Sequence, residues 1–177
     1  LLKPFQNKIN GSRSFGLNKN SLKQGLIMFY IALQLLIPFR YLLYPGKLFW
    51  TEQAFRFGWR VMLIEKVGYC TFYVYPENGS QMKVVEPCDY LTEQQIKQMS
   101  TQPDMILQFA HYLRDQYANK TIVEGDITIQ MGTPRVYVDS RVSLFNEGSR
   151  TFIDPTVDLA AQPFNLATRN WILPYDQ

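Results

Sequence analysis

Residues 46–68 read Gly-Lys-Leu-Phe-Trp-Thr-Glu-Gln-Ala-Phe-Arg-Phe-Gly-Trp-Arg-Val-Met-Leu-Ile-Glu-Lys-Val-Gly, an aromatic and basic segment around which the rest of the chain is arranged. Thr51 can act as a helix N-cap, because its hydroxyl can accept a bond from a free amide of the first turn. Glu52 then lies where the helix dipole favours a carboxylate, and Gly68 is a suitable stop. The segment therefore predicts one helix over residues 52–66.

Two kinds of side chain share adjoining faces of this predicted helix. Phe55 and Trp59 lie four residues apart, as do Arg56 and Arg60, so each pair projects from one face. On composition alone, the favoured interpretation is an ordinary amphipathic helix that covers a core. Glu52 is placed to pair with Arg56, whereas Arg60 has no acid four residues away. Two buried arginines without carboxylate partners would be costly.

Charge is divided unevenly along the 177 residues. Residues 1–66 carry ten basic and two acidic side chains, whereas residues 67–177 carry eight basic and thirteen acidic ones. The first 25 residues contain no acid and form a basic arm ahead of an apolar run, which is the positive-inside pattern. No nucleic-acid motif accompanies the arm, so we expect no nucleic-acid partner. The chain begins with Leu1 rather than Met, which we interpret as a fragment of a longer protein.

Residues 26–44 form the long apolar run of the chain, interrupted by Gln34, Pro38 and Arg40. A membrane span needs about 20 residues, and Arg40 is tolerated there if it reaches an interface. We favour a membrane helix over a buried helix of a soluble domain. The domain plan is therefore a basic connector over 1–20, a hydrophobic membrane helix over 21–45, and an extracytoplasmic domain over 46–177.

The remainder of the chain alternates between strand and helix patterns. Residues 69–75 and 81–86 are rich in β-formers and are joined by a turn containing Asn78-Gly79, which predicts a hairpin. Helices are predicted near 92–99 and 103–118, and period-2 alternation returns after Thr121. The predicted fold is α+β: two N-terminal helices, then a mostly antiparallel, jelly-roll-like β-sandwich with two packed helices.

Isolated polar residues carry weaker signals. His111, the sole histidine, could serve as a general base, but we favour a solvated histidine beside Asp115. Three aspartates could supply oxygen ligands for calcium, but their spacing fits turn-forming roles better, and we expect no metal: Asp139, Asp154 and Asp158. Cys70 and Cys88 could form a disulfide or remain two buried free thiols.

Several motifs resemble one family. They are Pro38, Pro45-Gly46, Trp50-Thr51-Glu52, Phe55 to Arg60, Met62-Leu63, residues 102–110 and residues 152–159. Together, over about residues 26–175, the chain resembles the C-terminal extramembrane region of the vitamin K-dependent gamma-glutamyl carboxylases. It also resembles their bacterial relatives, the horizontally transferred transmembrane (HTTM) family. Each motif is weak alone, and the set is specific.

The resemblance implies a membrane enzyme, a lyase that carboxylates peptide glutamate with reduced vitamin K and oxygen. In the family, the base removes a proton from the γ-carbon, carbon dioxide adds to the carbanion, and the quinone epoxide is the by-product. The lysine base and its histidine neighbour belong to the multi-pass membrane part. We therefore expect no catalytic residue in this chain and no activity of the chain alone. Vitamin K hydroquinone is expected in the membrane part.

The resemblance also implies a site. The family associates the region matching residues 50–59 with the substrate glutamate, which gives these substrate-binding candidates: Trp50, Phe55, Arg56, Trp59 and Arg60. Phe55 and Gly58 replace a tyrosine and a serine of the eukaryotic enzymes, so the arginines would supply the carboxylate contacts instead. We expect Trp50, Trp59 and both arginines to border a pocket facing the membrane portion rather than to fill the core.

Expected partners are the remaining transmembrane helices of the same protein, a glutamate-containing peptide or protein, and the lipid bilayer. The alternative class is a non-catalytic β-sandwich that binds a partner or stiffens a bacterial membrane protein. The first function requires the aromatic and basic residues of the segment to line a cavity. The second requires the aromatics to be buried and the arginines to project into water.

The charge pattern predicts the orientation in the membrane. Residues 1–20 should be cytoplasmic, and residues 46–177 periplasmic or extracellular, corresponding to the lumen in eukaryotic relatives. Cysteine labelling from outside intact cells at Ser12→Cys, in a chain whose own two cysteines have been replaced, should fail. Ready labelling at that position would contradict the assignment.

Overall fold

A computed structural model describes residues 19–58, 65–79, 81–124 and 127–176. The chain divides into two compact units, residues 1–38 and 39–177. Helix α1, Lys19–Leu36, belongs to the first unit, and a 3-10 helix over Ile37–Leu43 follows it. In the described part of the chain, one helical stretch, Asn20–Leu43, is long and apolar enough to cross a membrane, and none of its most apolar window is buried. This agrees with the expected membrane helix by length and composition.

The second unit is built on antiparallel strands. Its helices are α2 (Leu48–Thr51), α3 (Glu93–Met99) and α4 (Pro103–Tyr117); its strands are β1 (Lys66–Tyr75), β2 (Lys83–Val85), β3 (Thr121–Glu124), β4 (Ile127–Gln130), β5 (Arg135–Leu144) and β6 (Ser149–Thr151). Short 3-10 helices lie at Pro87–Asp89 and Leu159–Ala161. The strands form a four-stranded sheet in the order β2-β1-β5-β6, and β3 pairs with β4.

The long pair β1 and β5 forms the centre of the sheet. Its register runs from Lys66 opposite Leu144 to Tyr75 opposite Arg135. Alternate residues of both strands are buried, so one face of the pair builds the core, whereas the other face carries polar and tyrosine side chains. The buried face includes Phe72, Val74, Val136 and Val138.

Two helices cover this buried face. A capping box formed by Thr92 and Gln95 starts α3, the helix predicted near residues 92–99. Helix α4 begins with Pro103 and buries its apolar side against the sheet, where the Phe109 ring meets Phe72 edge-on at 4.9 Å between centroids. The C-terminal tail closes the core from another side, because Trp171 and Ile172 are also buried.

The α+β fold class is confirmed, with the apolar N-terminal helix, the antiparallel hairpins and both later helices. The jelly-roll-like sandwich is not confirmed: the described strands form one four-stranded sheet covered by helices and one separate hairpin. The single helix over 52–66 is wrong in its described part. Helix α2 ends at Thr51, residues 52–58 form turns, and Lys66 begins β1. Residues 59–64 lie outside the described residues.

Gly68 lies inside β1 and does not stop a helix. A Cβ placed there would come within 2.8 Å of a Val142 methyl and 2.9 Å of the Ser100 carbonyl oxygen. No other residue therefore fits between β5 and the end of α3 without moving the backbone.

We predict that Gly68→Ala lowers the free energy of unfolding by about 1–3 kcal/mol, the usual cost of overpacking. Urea unfolding of the full chain in detergent would measure it. Gly25→Ala is the matched control, since a Cβ there meets no atom within 4 Å. Equal stability of the two variants would contradict the close approach.

Candidate functional site

Helix α2 places the site residues. Gly46 has a φ of +90°, and Lys47 precedes the single helical turn of Leu48–Thr51. Trp50 projects from this turn into the core with 1% of its surface exposed. Its indole nitrogen donates to the Leu173 carbonyl at 2.7 Å, and its ring meets Phe152 edge-on at 4.8 Å. The tail and α2 are thereby joined through one buried side chain.

The segment after α2 has an unusual backbone. Three of its non-glycine residues have left-handed φ angles: Glu52 at 51°, Ala54 at 59° and Phe57 at 63°. Such conformations cost of order 1 kcal/mol each and persist only where surrounding contacts impose them. Residues 52–58 are therefore held in place by tertiary contacts, and a strained loop of this kind is a common feature of binding sites.

Lys66 makes the main tertiary contact that holds residues 52–58 in place. Its ammonium donates to the Trp50 carbonyl at 2.8 Å, to Glu52 Oε1 at 2.9 Å and to the Thr101 carbonyl at 3.0 Å. The side chain is 4% exposed and lies 4.5 Å from the centre of the Phe152 ring. All three donor positions of the ammonium are used, so this lysine is a structural group.

Burial sets the ionisation of this pair. Loss of water raises the pKa of Glu52, an effect that Lys66 opposes through its charge and hydrogen bond. Loss of water also lowers the pKa of Lys66, opposed in the same two ways by Glu52. Each group is therefore stabilised in its charged form by the other.

A cavity of about 300 Å³ lies beside the segment. We call it the arginine pocket, defined by Arg40, Arg56 and Arg169, with Glu52 and Asp104 as its acids. Phe55, from the strained segment, also lines it.

The three arginines differ in their partners. Arg169 forms an ion pair with Asp104, and Arg56 approaches the same carboxylate only loosely, at 3.9 Å, with 63% of its side chain exposed. Arg40 donates to the Arg56 carbonyl at 2.9 Å and pairs with no carboxylate in the described part of the chain. Glu52 is engaged by Lys66, so the pocket has an excess of positive charge.

Exposed apolar side chains form the rim of the arginine pocket. Phe57 and Leu166 are each 75% exposed, and Phe164 also lines the opening. Such a grouping of large apolar residues beside a charged cavity is typical of a surface that contacts a ligand or another apolar surface.

The structure places the predicted site residues as follows. Phe55 and Arg56 line the arginine pocket, and their role in substrate binding stays a prediction. Trp50 does not line the pocket but is buried in the core, so the prediction that it borders a pocket is wrong. The reason is that the helical turn lies at Leu48–Thr51, before the predicted helix, and directs the Trp50 side chain inward. Trp59 and Arg60 lie outside the described residues. Glu52 pairs with Lys66, not with Arg56, and Thr51 ends a helix that it was expected to begin.

Sequence reasoning missed Arg40, Asp104 and Arg169. Asp104 and Arg169 are far from the segment in the chain, Arg40 precedes it by six residues, and no spacing in the sequence connects the three. Arg40 offered one signal, since a charge inside an apolar run marks a functional position by default.

Other singled-out residues have structural partners. His111 is partly buried and its Nε2 lies 2.9 Å from the Gln162 carbonyl oxygen, so it is not simply solvated. Asp154 accepts bonds from Thr156, and Asp158 caps the Leu159–Ala161 helix, as turn-forming aspartates do. Cys70 and Cys88 are free thiols; Cys70 is buried, which raises its pKa to about 12, whereas Cys88 is exposed.

An apolar helix long enough to span a membrane, followed in the chain by an α+β domain with a basic pocket, is typical of a membrane protein with an extramembrane domain. The family model described as "Vitamin K-dependent gamma-carboxylase, lumenal domain" matches residues 19–177. The chain belongs to this family. No curated protein and no solved structure matches it. The relation to the HTTM family stays a prediction.

The Lys66 contacts generate a stability prediction. Lys66→Met leaves Glu52 buried and uncompensated, so the free energy of unfolding at pH 7 should fall by about 3–5 kcal/mol. Without Lys66 the pKa of Glu52 rises further. A raised pKa in the folded state gives stability at low pH that is lost as the pH increases through it. The deficit relative to wild type should therefore shrink between pH 7 and pH 5, measured by urea unfolding.

Two variants serve as controls. Adding Glu52→Gln to Lys66→Met should restore part of the loss at pH 7, because the buried charge is gone. Lys97→Met, at an exposed position of α3, should change stability by less than about 0.5 kcal/mol. If the loss in the free energy of unfolding is independent of pH and the double variant does not reduce it, the ion pair with Glu52 is not the source of the stability that Lys66 provides.

Proposed function

We propose that this chain is the C-terminal part of a vitamin K-dependent gamma-carboxylase-like membrane enzyme, and that it binds the glutamate side chain of the peptide substrate. Carboxylation requires removal of a γ-proton and addition of carbon dioxide, driven by epoxidation of vitamin K hydroquinone. The catalytic base and the hydroquinone belong to the remaining transmembrane helices. The described residues contribute binding and orientation.

The observation that carries the proposal is the charge of the arginine pocket. Arg40 has no carboxylate partner in the described part of the chain, and Arg56 has only a loose one. A guanidinium in a partly desolvated cavity favours an anion that can accept two parallel hydrogen bonds, and a carboxylate has that geometry. A substrate glutamate would therefore complete the pairing that the domain leaves open.

The dimensions of the pocket suit a side chain. Its volume of about 300 Å³ lies at the lower end of the range for ligand cavities, enough for one glutamate and its flanking backbone. Phe55 lines the wall where the eukaryotic enzymes have a tyrosine, so apolar contact with the β- and γ-carbons would replace a hydroxyl contact. Phe57 and Leu166 on the rim would cover neighbouring apolar residues of the peptide.

Orientation and partners follow from the same proposal. The pocket-bearing domain would lie on the non-cytoplasmic side, periplasmic in a bacterium, with its pocket towards the membrane part of the enzyme. Arg40 belongs to the last turns of the candidate membrane span, Asn20–Leu43, so its guanidinium can meet a carboxylate at the level of an interface. The bilayer would surround the span.

The burial of Trp50 favours the second candidate, a structural or binding module. A tryptophan at the centre of the core, bonded to the tail, contributes stability and no ligand contact. In that case the arginine pocket would have no preference for glutamate. The two candidates therefore differ in the effect of the pocket arginines on binding.

We predict that the full chain in detergent binds a short fluorescent peptide containing glutamate more tightly than the same peptide with glutamine. Arg40→Gln and Arg56→Gln should each weaken glutamate binding about tenfold, which is about 1.4 kcal/mol for one charge-assisted contact. Fluorescence anisotropy would measure the affinities, and thermal unfolding would confirm that each variant is folded.

Arg141→Gln is the matched control, because Arg141 is exposed on β5 and does not line the pocket. Its affinity should equal that of the wild type. Equal binding of the glutamate and glutamine peptides would overturn the substrate role. Loss of stability in the Arg40 variant with unchanged affinity per folded molecule would favour the structural module.

A further inference from the structure

The outer face of the sheet carries a second cavity that the proposed function does not use. It has a volume of about 460 Å³ and is lined by Tyr73 and Tyr75 of β1 and by Arg135, Tyr137 and Asp139 of β5. All five side chains are partly buried, so they form a shaped surface and not a scatter of exposed groups. We call it the tyrosine face.

The strand register fixes the order of these groups. Tyr73 lies opposite Tyr137, Tyr75 opposite Arg135, and Thr71 opposite Asp139. The rings of Tyr75 and Tyr137 pack edge-to-face, at 89°, with centroids 5.4 Å apart. Together with Tyr73 they form an aromatic floor between Arg135 and Asp139.

Opposite charges lie at the two ends of this floor. Arg135 and Asp139 are four residues apart on one strand, about 13 Å between Cα atoms, with Tyr137 midway. Glu86, which accepts a bond from Thr71, adds a second carboxylate at the Asp139 end. Arg141 lies beyond Asp139 and is exposed, and among the described residues no ion pair joins the two.

Among the described residues, most side chains of the tyrosine face lack a hydrogen-bond partner; Tyr75 is an exception and donates to Met82 Sδ at 3.1 Å. Within the described residues, Tyr73, Tyr137 and Asp139 make no side-chain hydrogen bond. Arg135 uses one nitrogen, Nη2, for two long bonds of 3.3 and 3.4 Å to backbone oxygens of Gly79 and Pro76. These partly exposed polar groups are therefore available to a ligand.

We propose that the tyrosine face binds a small zwitterion that joins a quaternary ammonium to a phosphate, which is the chemistry of a phosphocholine group. The ammonium lies against the rings of Tyr73 and Tyr137, where cation–π attraction is available, with Asp139 balancing its charge. The phosphate lies at the other end and accepts hydrogen bonds from Arg135.

The charge order favours this class over simpler ligands. A simple anion would be attracted by Arg135 but repelled by Asp139 and Glu86. A simple cation would be attracted by the two carboxylates but repelled by the arginine. An apolar ligand would leave both charges desolvated and unpaired, which is costly. A zwitterion satisfies both ends at once, and three aromatic rings favour a weakly hydrated ammonium over a strongly hydrated one.

The test is isothermal titration of phosphocholine into the full chain in dodecyl maltoside, a detergent without choline or phosphate. Phosphoethanolamine, which lacks the methyl groups, should bind at least tenfold more weakly, and choline or inorganic phosphate alone should bind more weakly still. No heat from phosphocholine at millimolar concentration, or equal affinity for phosphocholine and inorganic phosphate, would overturn the proposal.

Four variants separate the parts of the site. Tyr137→Leu and Asp139→Asn should each lower phosphocholine affinity about tenfold, whereas Tyr137→Phe, which keeps the ring, should bind as the wild type does. Arg135→Gln should weaken phosphocholine and leave choline unchanged. Equal losses in Tyr137→Phe and Tyr137→Leu would show that the hydroxyl and not the ring carries binding, and would overturn the cation–π assignment.

Tyr69→Ala is the matched control, since Tyr69 lies on the same face of β1 but does not line the cavity. Its affinity should be unchanged, and a loss as large as that of Tyr137→Leu would count against the site. Repeating the titration in nanodiscs of phosphatidylcholine or phosphatidylglycerol identifies the source of the ligand. Weaker apparent affinity in phosphatidylcholine indicates that lipid headgroups occupy the site, and equal affinity indicates a free solute. The arginine pocket variants are not involved, so this result is independent of the proposed function.

Discussion

The three hydrogen bonds of Lys66 are the constraint on which the second unit depends. One ammonium holds the end of α2 through Trp50, the strained segment through Glu52, and the junction of α3 and α4 through Thr101. A buried ammonium that lost any one of these oxygens would be under-solvated, so the three elements must meet at one point. The pair with Glu52 contributes little net stability after desolvation; its effect is to fix which parts of the chain come together.

That constraint explains the unusual geometry beside it. Glu52 can reach Lys66 only if α2 ends at Thr51, and the chain then turns through left-handed conformations at Glu52, Ala54 and Phe57. These turns bring Phe55 and Arg56 to the arginine pocket, which Arg40 lines from the preceding 3-10 helix and Arg169 from the C-terminal tail. The strain in the backbone is offset by the burial of Trp50 and by the three hydrogen bonds of Lys66 in the same region.

Local patterns predicted most of the fold, because each hairpin and later helix has its own signal in adjacent residues. The capping box at Thr92, the stripe of α4 and the alternation of β5 depend on neighbours only. The segment after Thr51 was mispredicted because its conformation depends on Lys66 and Thr101, which no local pattern reveals. The arginine pocket could be predicted only as far as Phe55 and Arg56, since its other charges come from residues 40, 104 and 169.

The presence or absence of a partner of opposite charge distinguishes charged residues that stabilise the fold from charged residues that can bind a ligand. Lys66 and Arg169 each have a carboxylate within the domain, and their charges are explained by the fold. Arg40 has none in the described part of the chain, and an apolar residue there would cost the fold less than a desolvated guanidinium. The same reasoning applies to Asp139, which faces aromatic rings without a hydrogen bond among the described residues. Charges that stability does not require, placed in cavities with ordered neighbours, are the groups on which the two binding proposals depend.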